Sequence, residues 1–260
     1  MSNKQPIGIF DSGIGGSSIF KEIHALLPNE SCVYLADSIN APYGNKSRED
    51  ILRLSIKNTE YLINTGCKII VIACNTATTN AIDYLRANYS IPFIGIEPAI
   101  KPAALNTQTK AIGILATKGT LSSQLFHKTT DLYSERIKII EQVGDGIVPL
   151  IEAGQLNSVE LQSLLEIYLK PMLEQNIDYL VLGCTHYPYL IPMLSKMLPE
   201  HIKIIDSGRA VANQTNLVLA SQDLLNTYSE IPKIEFFSNS DITVLNAILE
   251  NKFNVNHLKF

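Results

Sequence analysis

At 260 residues the chain is long enough for one large domain or two modest ones, and its 46% apolar and 18% charged residues match an ordinary globular protein. A net charge of −4 with scattered Lys and Arg gives no basic footprint for nucleic acid, and no apolar run reaches the ~18 residues of a membrane span. The opening MSNKQPIGIF has no apolar core ahead of a small-residue cleavage site, so the sequence reads as cytoplasmic. Its cysteines, Cys32, Cys67, Cys74 and Cys184, contain no Cys-x-x-Cys pair and are expected to be reduced thiols.

The first expected strand, Ile7–Phe10, runs into the turn Asp11-Ser12-Gly13-Ile14-Gly15-Gly16. Val33–Ala36 follows and ends at Asp37, with a helix expected over Arg48–Asn64. Ile69–Ala73 leads into Cys74-Asn75-Thr76, then come a helix over Ala77–Asn88 and the strand Pro92–Ile96. A second set opens with Ala111–Leu115, which runs into Ala116-Thr117-Lys118-Gly119-Thr120, and continues with Lys138–Ile140. A helix over Ser158–Glu174 has a capping start in Asn157-Ser158-Val159-Glu160. Tyr179–Gly183 then enters Cys184-Thr185-His186, followed by Lys203–Ile205, a helix over Arg209–Leu225 and Ile234–Phe237. Short, continuously apolar runs alternating with amphipathic stretches describe parallel strands buried on both faces, hence an α/β protein.

The two sets share a plan. Asp11 and Cys74 lie 63 positions apart, and Thr117 and Cys184 lie 67 apart, each just after an apolar run. The pattern predicts two similar α/β lobes with mainly parallel sheets and an active-site cleft between them. No Gly/Ser-rich or Pro-rich linker separates the halves, so the lobes should be closely connected.

Ligands of open α/β sheets bind beyond the carboxyl ends of the strands, where Asp11, Cys74, Thr117 and Cys184 all fall. A thiol ahead of a helix feels the positive end of its dipole, which should lower its pKa. Two thiols, one from each half, suit inversion of a stereocentre through a carbanion. One face then needs a base and the other an acid, and the roles swap when the reaction reverses. Asp11 and His186 are placed to manage protons for the two thiols. Asn75, Thr76, Thr185 and nearby helix-opening amides could hold carboxylates, while Asp11 and Ser12 could hold an amino group. Other readings stay open here. Buried cysteines are often core filler, which is the reading for Cys32 and Cys67, and Asp11 could cap the following helix. The Gly-rich turn imitates a dinucleotide fingerprint, with Ser18 where its third glycine belongs. Cys74, Cys184 and His186 could also be metal ligands, although Cys-x-His is not a zinc spacing. Cys184 with His186 could serve a thiol hydrolase, which would leave Cys74 idle. A sensor that binds amino acids without turnover would need neither thiol.

Gly8 to Gly16, Pro42-Tyr43-Gly44, Ala73-Cys74-Asn75-Thr76-Ala77 and Gly183-Cys184-Thr185-His186-Tyr187-Pro188 resemble the signatures of the glutamate racemases. Val148-Pro149-Leu150-Ile151-Glu152-Ala153-Gly154 and Asp206-Ser207-Gly208 are similar to that family as well, so the resemblance spans nearly the whole chain. It implies a discontinuous first lobe of residues 1–98 plus 208–260 and a second lobe of residues 99–207. It also implies a homodimer and interconversion of L- and D-glutamate without pyridoxal phosphate, metal or any other cofactor, supplying D-glutamate for peptidoglycan synthesis. On this resemblance Cys74 takes the α-proton from D-glutamate and Cys184 from L-glutamate. Asp11 and His186 assist them, with Glu152 as a further proton-relay partner. Substrate contacts fall to Asp11, Ser12, Tyr43, Gly44, Asn75, Thr76, Thr117, Thr185 and His186. The family commonly has an Arg just before Pro-Tyr-Gly, whereas Ser38-Ile39-Asn40-Ala41 has none, which puts the order of that loop in question. The related aspartate racemases generally have Glu where His186 stands, so His186 favours glutamate.

Overall fold

A computed structural model of the chain describes residues 3–227 and 231–260. Its strands are β1 (Ile7–Asp11), β2 (Cys32–Ala36), β3 (Ile69–Ile72), β4 (Phe93–Gly95), β5 (Ala111–Ala116), β6 (Lys138–Val143), β7 (Tyr179–Gly183), β8 (Lys203–Ile205), β9 (Ile234–Ser238) and β10 (Val255–His257). They form a six-stranded sheet in the order β10-β9-β2-β1-β3-β4 and a four-stranded sheet in the order β6-β5-β7-β8. Every pairing among the described strands is parallel. The order β2-β1-β3-β4 in one sheet is repeated as β6-β5-β7-β8 in the other, which is the doubled plan expected from the spacing of the motifs. In each copy the chain leaves the first strand in one direction and returns on its other side. The cleft outside the two central strands is therefore the topological switch point where α/β sheets bind ligands.

The expectation of strands buried on both faces holds for the central strands β1, β2, β3, β5 and β7. It fails at the margins, where β6 and β8 are only half-buried. As edge strands of the smaller sheet they have one neighbour each, and Lys138, Glu141 and Lys203 keep their outer faces wet. The three-residue edge strand β10 is not anticipated by any apolar run, because Val-Asn-His offers only one apolar side chain. The helix Asn75–Asn88 starts two residues earlier than the apolar pattern indicates, and Gly208–Ser221 stops short of Leu225. The helix Val159–Leu173 starts at the expected cap, with the Ser158 hydroxyl accepting from the Leu161 amide.

One apolar cluster runs without a break from Ile9, Val71 and Phe236 near the six-stranded sheet to Leu115, Leu165 and Leu182 near the other. Burial of such side chains stabilises the fold by about 1.5–3 kcal/mol each, and its continuity joins the lobes without a linker. At the opposite end from the cleft, a buried Lys68 ammonium sits 2.5 Å from Glu30 and donates to the Asn3 and Leu224 carbonyls. Among the described residues no helix is long and apolar enough to cross a membrane.

Candidate active site

Asp11 closes β1 and is fully buried. Its Oδ2 accepts from the Gly13 and Gly16 amides at 3.1 and 3.0 Å, and its Oδ1 accepts from Thr185 Oγ1 of the other lobe at 3.2 Å. The carboxylate thus caps the turn into the helix Ser17–Leu26 while reaching across the cleft. It also occupies amides that a pyrophosphate would need, which removes the dinucleotide reading. Burial raises the Asp11 pKa from 3.8 to about 6, against the opposing pull of His186 and the two amides.

Cys74 is the N-cap of the helix Asn75–Asn88, its sulfur accepting from the Ala77 amide at 3.4 Å. The thiol also contacts Ser12 Oγ at 3.6 Å. The expected lowering of its pKa is overturned. Burial, joined by the charge of Asp11, pushes the thiol up, and the Ala77 amide and Ser12 offset only part of this. A helix end is a partial charge, and it does not compensate complete removal from water.

Cys184 follows β7 in the matching position of the second lobe, with its Sγ 3.7 Å from His186 Nδ1. The other ring nitrogen, Nε2, lies 2.5 Å from Glu152 Oε1. Burial disfavours a charged imidazole, but the contacts with Cys184 and Glu152 prevail and raise the His186 pKa well above its ordinary value. Glu152 is fixed in turn, since Oε1 accepts from the Ile14 amide at 2.7 Å and Oε2 from Ser38 Oγ at 3.2 Å. Room for this thiol–imidazole–carboxylate chain is made by Gly13 and Gly15, where a Cβ would overlap Glu152 and His186 respectively.

Both thiols line one cavity together with Ser12, Tyr43, Gly44, Asn75, Thr76, Thr117, Thr185 and His186. Asp11 and Glu152 stand behind its wall. Tyr43 lines the cavity while its hydroxyl donates to Asp37 at 2.5 Å. Thr76 Oγ1 lies 2.8 Å from Thr117 Oγ1 and 3.3 Å from Thr120 Oγ1, a hydroxyl cluster that bridges the lobes. Asn75 Oδ1 is buried and has no hydrogen-bond partner among the described residues, so an acceptor is free at the cavity's edge. Pro42 and Val148, which also line the cavity, and Thr120 were not singled out as site residues from the sequence. The signal for Thr120 was its place three residues beyond Thr117, one turn along the same short helix. The cavity measures about 10 Å³, room for roughly one water, so a larger ligand requires the lobes to part. Cys32 and Cys67 are buried outside the site, as expected of core residues. Among the described residues no three His, Cys, Asp or Glu side chains gather as a metal-ligand set.

Comparison with known proteins adds independent findings. Residues 8–215 match the family model described as Asp/Glu/Hydantoin racemase. A glutamate racemase from Herpetosiphon aurantiacus is 43% identical over 91% of this chain and 93% of its own length. Another from Pseudomonas entomophila is 47% identical over 85% of this chain and 83% of its own. Among solved structures, a glutamate racemase isoform from Bacillus anthracis superposes with a TM-score of 0.88 at 29% identity, covering 99% of this chain and 98% of that one. The Francisella tularensis glutamate racemase in complex with D-glutamate gives 0.86 at 29% identity, with the same coverage.

Proposed function

The chain belongs to the Asp/Glu/hydantoin racemase family, and from that premise we propose that it is a glutamate racemase working through Cys74 and Cys184. The observation that carries the mechanism is the convergence of two thiols, from matching positions in two like lobes, on one cavity. One thiolate removes the α-proton from one face, and the opposite thiol delivers a proton to the other face. The product is the mirror image, and the two sulfurs have exchanged protonation states. We assign proton removal from D-glutamate to Cys74 and from L-glutamate to Cys184.

The surroundings support distinct supporting roles. His186, backed by Glu152, can take the Cys184 proton and return it. Asp11 carries negative charge beside Cys74 and can accept from the substrate ammonium once the cleft opens, with Asn75 Oδ1 as a second acceptor. Thr76, Thr117 and Thr185, with Ser12 and the Gly44 backbone, are donors suited to the two carboxylates. We assign the product to peptidoglycan synthesis in the cytoplasm and the working assembly to a homodimer, for which light scattering should give twice the 28.7 kDa chain mass.

The test is incubation with L-glutamate in deuterated water without added cofactor. Optical rotation should decay, with deuterium at the α-carbon of the D-enantiomer formed. Rotation that persists with glutamate but decays with aspartate would move the substrate to the shorter acid. Persistence with both would end the racemase reading.

A further inference from the structure

The segment 38–46 crosses the mouth of the site with little backbone bonding of its own, chiefly the 3-10 turns Ser38–Asn40 and Tyr43–Asn45. Its position therefore depends on side chains. On one side it reaches the second lobe. Ser38 Oγ donates to Glu152, Gly44 packs so closely on Thr117 that a Cβ would sit 2.8 Å from the Thr117 Cβ, and Pro42 and Gly44 share a crevice with Gly144 and Pro149. On the other side its ties centre on the carboxylate of Asp37, which is fully buried.

Asp37 gathers donors from three parts of the first lobe. From the segment itself come the Tyr43 hydroxyl at 2.5 Å and Asn40 Nδ2 at 2.9 Å. The helix Arg48–Asn64 contributes Lys57 Nζ at 3.3 Å, and Asn239, just past β9, contributes Nδ2 at 2.5 Å. Asn239 works in both directions, because its Oδ1 accepts from the Ile39 amide at 3.0 Å. Asn58 Nδ2 completes the arrangement by donating to the Tyr43 hydroxyl at 3.1 Å. A buried carboxylate is tolerated only when it is well supplied with donors, and bonds to it are stronger than neutral ones. Lys57 of the neighbouring helix supplies the cation beside Asp37.

We infer that Asp37 and Asn239 form a latch that sets the position of the strap 38–46, and through it the hold of the closed site on its substrate. Neither touches the cavity, so both are positioning residues. The inference rests on the racemase reading for its kinetic consequence, but not for its structural one. When the latch is broken, the strap samples positions in which Tyr43 and Gly44 no longer form the cavity wall. The apparent affinity then falls by the fraction of molecules with the strap in place, while the thiols keep their chemistry in molecules that do close.

The experiment compares wild-type protein with Asn239→Leu, which removes both bonds of that side chain, and Lys57→Met, which removes only the half-exposed cation. Steady-state kcat and KM with each enantiomer are measured beside hydrogen exchange of the backbone amides. For Asn239→Leu, KM should rise about tenfold for both enantiomers with kcat held within about twofold. Amides of 38–46 should exchange faster while those of β1 and β3 stay protected. Lys57→Met should move in the same direction by a smaller factor. An unchanged KM, a fall in kcat at constant KM, or unchanged protection of the strap in Asn239→Leu would each overturn the latch. Wild-type protein that does not racemise glutamate would instead overturn the functional reading, and the exchange data would still decide the latch.

Discussion

Replacing Asp11 by Asn separates what this side chain does for the fold from what it does for the reaction. Burial raises its pKa from 3.8 to about 6, so below that pH the site holds a neutral acid where the proposed reaction calls for an ionised one. Between pH 7 and pH 5 the ionised fraction falls about tenfold, and kcat/KM should fall by the same factor, whereas an ordinary aspartate would lose only about a twentieth. The linkage to stability has a definite sign. Because the folded pKa lies above the unfolded one, this group's contribution is fully present below pH 3.8 and is lost as pH rises through about 6. The loss at pH 7 is about 3 kcal/mol. Asn keeps an amide oxygen for the Gly13 and Gly16 amides but carries no charge to desolvate. Asp11→Asn should therefore be about 1–3 kcal/mol more stable than wild type at pH 7, and much less active. Urea unfolding at pH 7 and initial rates from pH 5 to 9 in both directions make the comparison. Since enantiomers have equal free energies, kcat/KM must be the same in the two directions at every pH, which gives an internal check on the rates. A variant that is less stable than wild type at pH 7, or that keeps the acid limb near pH 6, would refute the reasoning.

Three further outcomes follow from the same geometry. Cys74→Ala should abolish racemisation in both directions yet let L-glutamate exchange its α-hydrogen with deuterated water through Cys184, while Cys184→Ala should do the converse with D-glutamate; exchange with the opposite enantiomer, followed by NMR, would reverse the assignment of the thiols. Gly15→Ala drives a methyl group into His186, and kcat should fall at least about tenfold with a change in melting temperature of only a few degrees, as expected when geometry in the site shifts by about 1 Å; wild-type kcat would show that the ring can be displaced without consequence. Lys68→Met leaves the buried Glu30 carboxylate without its cation, and chemical denaturation should report a loss of about 3–5 kcal/mol with KM unaltered, because the pair lies at the far end of the sheet from the cleft.

The central strands and the ends that carry Asp11, Cys74, Thr117 and Cys184 were legible because their sequence is written by burial: four or five apolar residues, then an abrupt polar turn. The edge strand β10 was not, since a three-residue edge needs no apolar run. Nor was the fate of Tyr43, whose hydroxyl turns to Asp37 on grounds visible only when Asn239, 202 positions away from Asp37, arrives beside it. The raised pKa of Cys74 is hidden from the sequence for a related reason. A helix start can be read locally, whereas the desolvation that outweighs it depends on everything packed around the thiol.

The doubled plan sets a symmetric task, but the two halves support their thiols differently. Cys184 has an imidazole backed by a carboxylate, and Cys74 has a hydroxyl, a helix amide and the nearby charge of Asp11. Equal free energies of the enantiomers force equal kcat/KM in the two directions, so this asymmetry has no outlet there. It must appear in how each direction divides that ratio between kcat and KM, and in which step each pH limb controls. Damage to the His186 branch should therefore lower kcat/KM equally in both directions, while the separate changes in kcat and in KM differ between the enantiomers. A site in which both thiols were served alike would show no such split.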